Sequence, residues 1–213
     1  TEAQIKACCI GGPMISEPDS AANSYSSFMG CDWGPVNSVN SKTVIAITQT
    51  RANKIHVIYM KRFLGRESDY SFIHDEIPRL HMKWHTQLIG ADYGLGEAAN
   101  SEIRKRIGES NRLIALQHLG TQKQKALWNQ RMNAYTLGRN ITMTEIFARI
   151  RRQEIVFPRW EDFEPFAKDL LAISIEYDEE KNKMRYINSD PDDSLHAILY
   201  STFVNDLHSH LVT

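Results

Sequence analysis

Two stretches, FMGCDWG at residues 28–34 and LIGADYG at residues 88–94, share one grammar. Each runs through apolar residues to a glycine, a small residue, an aspartate, an aromatic and a second glycine. Aspartate is disfavoured within strands and is seldom buried without a partner. One explanation is local: strand-end aspartates open turns, with Gly34 and Gly94 supplying positive φ. The other is chemical. If the two strands are neighbours, Asp32 and Asp92 emerge side by side at their carboxyl ends, where open α/β sheets collect ligands.

The segments around these stretches read as a mixed sheet. A strand runs from Tyr25 into Asp32, and KTVIAITQT (42–50) and KIHVIYMKRFLG (54–65) form a hairpin across RAN. Residues 68–85 have helical spacing, interrupted by Pro78. TQLIGAD is the next strand. NSEIRKRIG follows as a helix with an Asn or Ser cap and a Gly stop. RLIALQHL (112–119) is a further strand. Strands alternating with helices in this way predict an α/β fold with a mixed sheet flanked by helices. Residues 120–140 carry no clear pattern. Residues 141–153 and 160–171 read as helices, EIVFP as a short extended piece, and 174–188 as a hairpin. A helix closes the chain. Residues 2–10 suit a short helix, and 11–24, rich in Gly, Pro, Ser and Asp, a connector.

The closing helix carries a third acidic group. In DPDDSLHAILY (190–200), Asp190 suits a cap, Pro191 the first turn, and Asp192 and Asp193 the positive end of the helix dipole. His196 follows at helical spacing, so acids and imidazole share a face. Crowded carboxylates repel unless a cation neutralises them, and hard oxygen donors favour Mg²⁺ or Mn²⁺. A pair of such ions suits phosphodiester hydrolysis without a nucleophilic side chain. No GxSxG elbow or phosphate-cradling GxxxxGK[ST] loop points elsewhere.

Composition sets broad bounds. The 213 residues carry a formal net charge of −1, so any contact with nucleic acid depends on local patches. Cys8, Cys9 and Cys31 have no zinc-ligand spacing and read as reduced thiols. No stretch has the apolar length of a membrane span, and no signal peptide is evident. The chain opens on Thr1 rather than Met, as a piece of a longer protein does.

In order and spacing, GCDWG, LIGADYGLGEAAN and DPDDSLHAILY resemble the ribonuclease H-like nuclease domain of the large terminase subunit of tailed phages. YTLGRNITMTEIFARIRRQEIVFPRW (135–160) resembles the segment ahead of that family's last strands. The resemblance spans about residues 24–207. It implies a ribonuclease H-like α/β fold with five or more strands and an extra β-hairpin before the last helix. It makes residues 24–213 the nuclease domain and 1–23 the tail of a preceding ATPase domain. The implied activity is cutting of concatemeric DNA by two Mg²⁺ or Mn²⁺ ions, with low sequence specificity.

By the same resemblance, Asp32, Asp92 and Asp193 are the catalytic metal ligands, assisted by Asp192 or His196. His196 stands where related nucleases often have a second acid, a departure that bears on the second ion. Lys123, Lys125, Arg131, Arg139, Arg149, Arg151 and Arg152, with Lys181, Lys183 and Arg185 of the hairpin, are candidate phosphate contacts. The implied partners are double-stranded DNA, the ATPase domain, the small terminase subunit and the portal protein, in the cytoplasm of an infected host. Other readings of the same residues are a junction resolvase or transposase, an inactive assembly module of this fold, and an actin-like or sugar-kinase-like ATPase.

Overall fold

The computed structural model describes residues 1–35, 38, 40–108, 110–120, 122–178 and 183–209, without the side chains of Ser110, Asp178 and Lys183. In chain order the elements are α1 (Glu2–Cys8), β1 (Ser27–Asp32), β2 (Val44–Arg51), β3 (Lys54–Arg62), α2 (Tyr70–Trp84), β4 (Thr86–Asp92), α3 (Glu97–Ile107) and β5 (Leu113–Leu119). There follow β6 (Ala126–Asn129), β7 (Ala134–Gly138), α4 (Arg139–Arg151), β8 (Ile155–Val156), α5 (Trp160–Leu171), β9 (Ile173–Asp178), β10 (Lys183–Asn188) and α6 (Asp193–His208).

Eight strands form one mixed sheet in the order β6-β7-β5-β4-β1-β2-β3-β8, and β9 and β10 form a separate hairpin. The expected α/β layout and the extra hairpin are both present. The β2–β3 connection is a two-residue loop with Ala52 at φ 48° and Asn53 at φ 61°. Positive φ at both central residues is the geometry that suits the twist of a tight hairpin. The segment that carried no clear pattern folds as a second hairpin, β6–β7, at the sheet edge.

Strand alternation sends successive side chains to two different cores. Met29, Cys31, Ile45, Ile47, Ile89 and Ala91 face α2 and α3. Phe28, Val44, Ala46 and Leu116 face α6. Helices α4 and α5 pack against the outer side of α6, so that residues 193–206 are all buried. A helix enclosed on every side has no solvent-facing stripe, which explains why α6 shows little amphipathic patterning although it buries several polar residues. The short helix α1 and the connector after it both lie along this unit: Ile5 and Cys8 of α1 enter the core, and in the connector the Ile15 amide donates to the Ile58 carbonyl at 3.0 Å.

The glycines of the two opening stretches have a different cause from turn formation. Gly34 and Gly94 are not in the positive-φ region, where Gly65 and Gly108 are the glycines found among the described residues. The decisive glycines lie two residues before the aspartates. Gly30 and Gly90 are partners in the parallel β1–β4 register. A Cβ on Gly30 would lie 1.9 Å from the Ala197 carbonyl oxygen, and one on Gly90 2.7 Å from that of Tyr200. Helix α6 thus rests directly on strand backbone, and a methyl group on Gly30 would force it away from the sheet.

Candidate metal centre

The close approach of α6 determines what meets at the end of the sheet. Phe28, Gly30 and Asp32 lie on the α6 face of β1, and Leu88, Gly90 and Asp92 on that of β4, by the two-residue period. The strands are adjacent and parallel, with Cys31 paired to Ala91. Asp32 and Asp92 therefore leave neighbouring carboxyl ends. The first turn of α6 brings Asp193 to the same end.

Each acid is held differently. The Asp92 carboxylate accepts from the Tyr200 hydroxyl at 3.3 Å, and from the backbone of Gly94 and Leu95. Its own carbonyl accepts from Asn100 Nδ2 at 2.8 Å, while Asn100 Oδ1 accepts from Trp33 Nε1 at 2.9 Å. Asn100 thus braces the residue after Asp32 against Asp92 itself. Asp193 accepts from Ser41 Oγ at 2.9 Å and from the Lys42 amide at 2.6 Å. Among the described residues the Asp32 carboxylate has no hydrogen-bond donor.

The electrostatics follow from this placement. Burial raises the Asp32 pKa well above the usual carboxylate range, and the charges of Asp92, Asp193, Asp192 and Asp169 add to the rise. Burial also raises Asp92, against the opposing pull of His196 and the Tyr200 hydrogen bond. Asp193 is raised by burial, which its Lys42 and Ser41 hydrogen bonds only partly offset. Asp192 goes the other way. Burial works against its charge, but the His196 hydrogen bond and the nearby Arg139 outweigh it and lower the pKa. Burial and the two strand-end acids push the Tyr200 phenol well up, so it stays a donor.

Asp192 Oδ2 meets His196 Nε2 at 3.2 Å and Arg139 at 3.3 Å. The His196 ring lies 4.9 Å from that of His118, at the end of β5. Both rings leave a buried Nδ1 without a hydrogen-bond partner among the described residues. His118 is held neutral by burial first, then by His196 and Arg139.

The carboxylate oxygens suit a hard divalent cation, and the nearby His196 imidazole, a softer donor, suits Mn²⁺ better than Mg²⁺. Among the described residues, no group of three or more His, Cys, Asp or Glu side chains stands in ligating geometry.

The structure adds residues that local sequence patterns did not mark. Asn100, read as part of a helix cap, lies one turn inside α3 and is 1% exposed. Tyr200 and His118 carried no local signal. Asp169 of α5 accepts from the Ser194 amide at 2.8 Å, and so caps α6 from another helix. Asp190, expected as the cap of α6, lies ahead of it: Asp192 takes the cap position and the helix begins at Asp193.

The candidate DNA contacts divide. Lys125 and Arg149 are bound to Glu145 and Asp206, Arg139 to Asp192, Arg152 to Glu154 and Arg185 to Glu176. The Lys125, Arg139 and Arg149 pairs are half-buried, while those of Arg152 and Arg185 lie at the surface. Lys123, Arg131 and Arg151 are exposed. Lys181 and the Lys183 side chain lie outside the described residues.

No protein-family model matches the chain, and no curated protein sequence matches it. Solved structures do. The large terminase nuclease from thermophilic phage G20c superposes with a TM-score of 0.64 at 12% identity, over 93% of this chain and 95% of that one. A manganese-soaked human cytomegalovirus terminase nuclease domain gives 0.59 at 13% identity, over 98% and 96%. The large terminase from a second thermophilic bacteriophage gives 0.58 at 12% identity, over 92% of this chain and 42% of that longer one. The ribonuclease H-like fold of this chain is that of the terminase nuclease domains.

Proposed function

We propose that the chain is a divalent-metal-dependent DNA endonuclease, the nuclease unit of a viral DNA-packaging terminase. The observation that supports this most is the arrangement of three acids at one sheet end. Asp32 and Asp92 come from adjacent parallel strands, and Asp193 from the helix that lies across both. The manganese soak of a structural neighbour supports Mn²⁺ or Mg²⁺ as the cofactor.

In this reading Asp32, Asp92 and Asp193 hold the cations, with Asp192 or His196 assisting. When bound, two such ions supply the Lewis acidity that phosphodiester hydrolysis requires. The protein's part is orientation. Tyr200 and the Gly94–Leu95 backbone aim Asp92, Ser41 and the Lys42 amide aim Asp193, and Asn100 fixes the spacing of the two strand ends. Asp32, without a donor, is free to turn toward a cation. The ATPase domain, small subunit and portal protein are the proposed partners, with residues 1–23 following the ATPase domain.

Plasmid cleavage tests the reading. Supercoiled DNA with Mn²⁺ or Mg²⁺ should be nicked and linearised, chelation should stop the reaction, and Asp92→Ala should remove it. Cutting that survives chelation, or an Asp92→Ala protein as fast as the parent, contradicts it. Cleavage confined to four-way junctions would point to a resolvase instead.

A further inference from the structure

Beside Asp193 lies a groove whose walls carry cations that are not fully spent. It is lined by Lys42, Arg62 and Lys168, together with Asp169, Asp190 and Asp193. Lys42 has two separate jobs. Its amide donates to Asp193 Oδ2, while its ammonium donates to the Ser38 carbonyl and meets no carboxylate among the described residues. Arg62 is held rigidly. One terminal nitrogen donates to Asp169 Oδ2 at 2.7 Å and to Ser194 Oγ at 2.9 Å, and the other to the Pro165 carbonyl at 3.2 Å. That leaves guanidinium N–H donors over. Lys168 is exposed and has no carboxylate partner among the described residues.

The charges balance in favour of an anion. Asp169 is neutralised by Arg62, and Asp193 is a proposed cation ligand. Lys42 and Lys168 then outweigh Asp190. Arg62 ends β3 and Lys42 leads into β2, so both stand at the sheet end where Asp32 and Asp92 emerge. This contrasts with Lys125 and Arg149, which are half-buried and paired with Glu145 and Asp206.

We propose that this groove seats backbone phosphates of the strand being cut, next to the scissile bond on the Asp193 side, and that Lys42, Arg62 and Lys168 grip them. The ligand class is a nucleic-acid phosphodiester, recognised without regard to sequence. The inference rests on the nuclease reading and gives it a direction: the strand leaves the acids over β2, β3 and α5.

The test compares the parent with the Lys42→Ala/Lys168→Ala double variant. Lys42→Ala keeps the backbone amide that holds Asp193. Binding to a duplex oligonucleotide is followed by fluorescence anisotropy across a salt series, with Ca²⁺ in place of Mn²⁺, and steady-state cleavage is measured in Mn²⁺. The slope of log Kd against log salt should fall by about 2, roughly one per lost contact. KM should rise about tenfold, with kcat little changed, and Lys42→Arg/Lys168→Arg should restore both slope and KM. Lys105→Ala, on α3 across the sheet, should behave as the parent. An unchanged slope and KM in the double variant, or a fall in kcat alone, overturns the groove. If the parent binds with the steeper slope yet never cuts, the nuclease reading fails while the groove stands.

Discussion

Replacing Asp32 with asparagine is expected to reduce plasmid cleavage on the order of 10³-fold or more while making the metal-free protein more stable. The two effects share a cause. The charges of Asp92, Asp193, Asp192 and Asp169 all act on Asp32, which has no hydrogen-bond donor among the described residues. Without a cation, its charge is a cost that folding must carry. Asparagine keeps the shape and removes the charge, a gain of about 1 kcal/mol. Its pH dependence has a definite sign. The native pKa lies well above 3.8, so the folded form holds a proton that the unfolded chain has already released. The contribution of Asp32 to stability is full below the unfolded value and is lost as pH rises through the folded one. The gain from Asp32→Asn is therefore larger near about pH 8 than near about pH 4. Thermal melts of metal-free protein at both values check this. A variant less stable than the parent at the higher pH would show that Asp32 is structural.

Asn100→Ala should act in the opposite sense on stability. Asn100 is buried, and its loss leaves the Trp33 indole N–H and the Asp92 carbonyl without partners. Two such groups in a packed interior cost about 2–4 kcal/mol. The rate should fall further than unfolding accounts for. Trp33 adjoins Asp32, and the lost bond to Asp92 frees the second acid, a displacement worth about 10–100-fold in rate. Cleavage measured well below the melting midpoint separates the two effects. Trp33→Phe removes the same indole bond, so the double variant should lose less stability than the two singles together. A rate equal to the parent's at low temperature would make Asn100 a packing residue only.

The strands and helices that present the acids were readable because their apolar runs are long and bounded by turns. The adjacency of β1 and β4 was a condition in the sequence and is an observation in the structure. What was hidden depended on distant partners. The β6–β7 hairpin escaped notice because its edge strand is four residues long and leaves Leu127 and Trp128 exposed. Asn100 resembled a cap because Asn before a helical run usually is one. Its true partners, Trp33 and Asp92, are far away in sequence or in a preceding strand. Gly30 and Gly90 gain their meaning only once α6 is laid over them. The pairing of Lys125 and Arg149 with Asp206 joins the residue ahead of β6 to α4 and α6, which no local pattern records.

The most direct test of the central claim is anomalous scattering from manganese in crystals of this protein. The account predicts manganese bounded by the carboxylates of Asp32, Asp92 and Asp193. Manganese absent from that end of the sheet, in protein that still cuts plasmid when manganese is supplied, would contradict it.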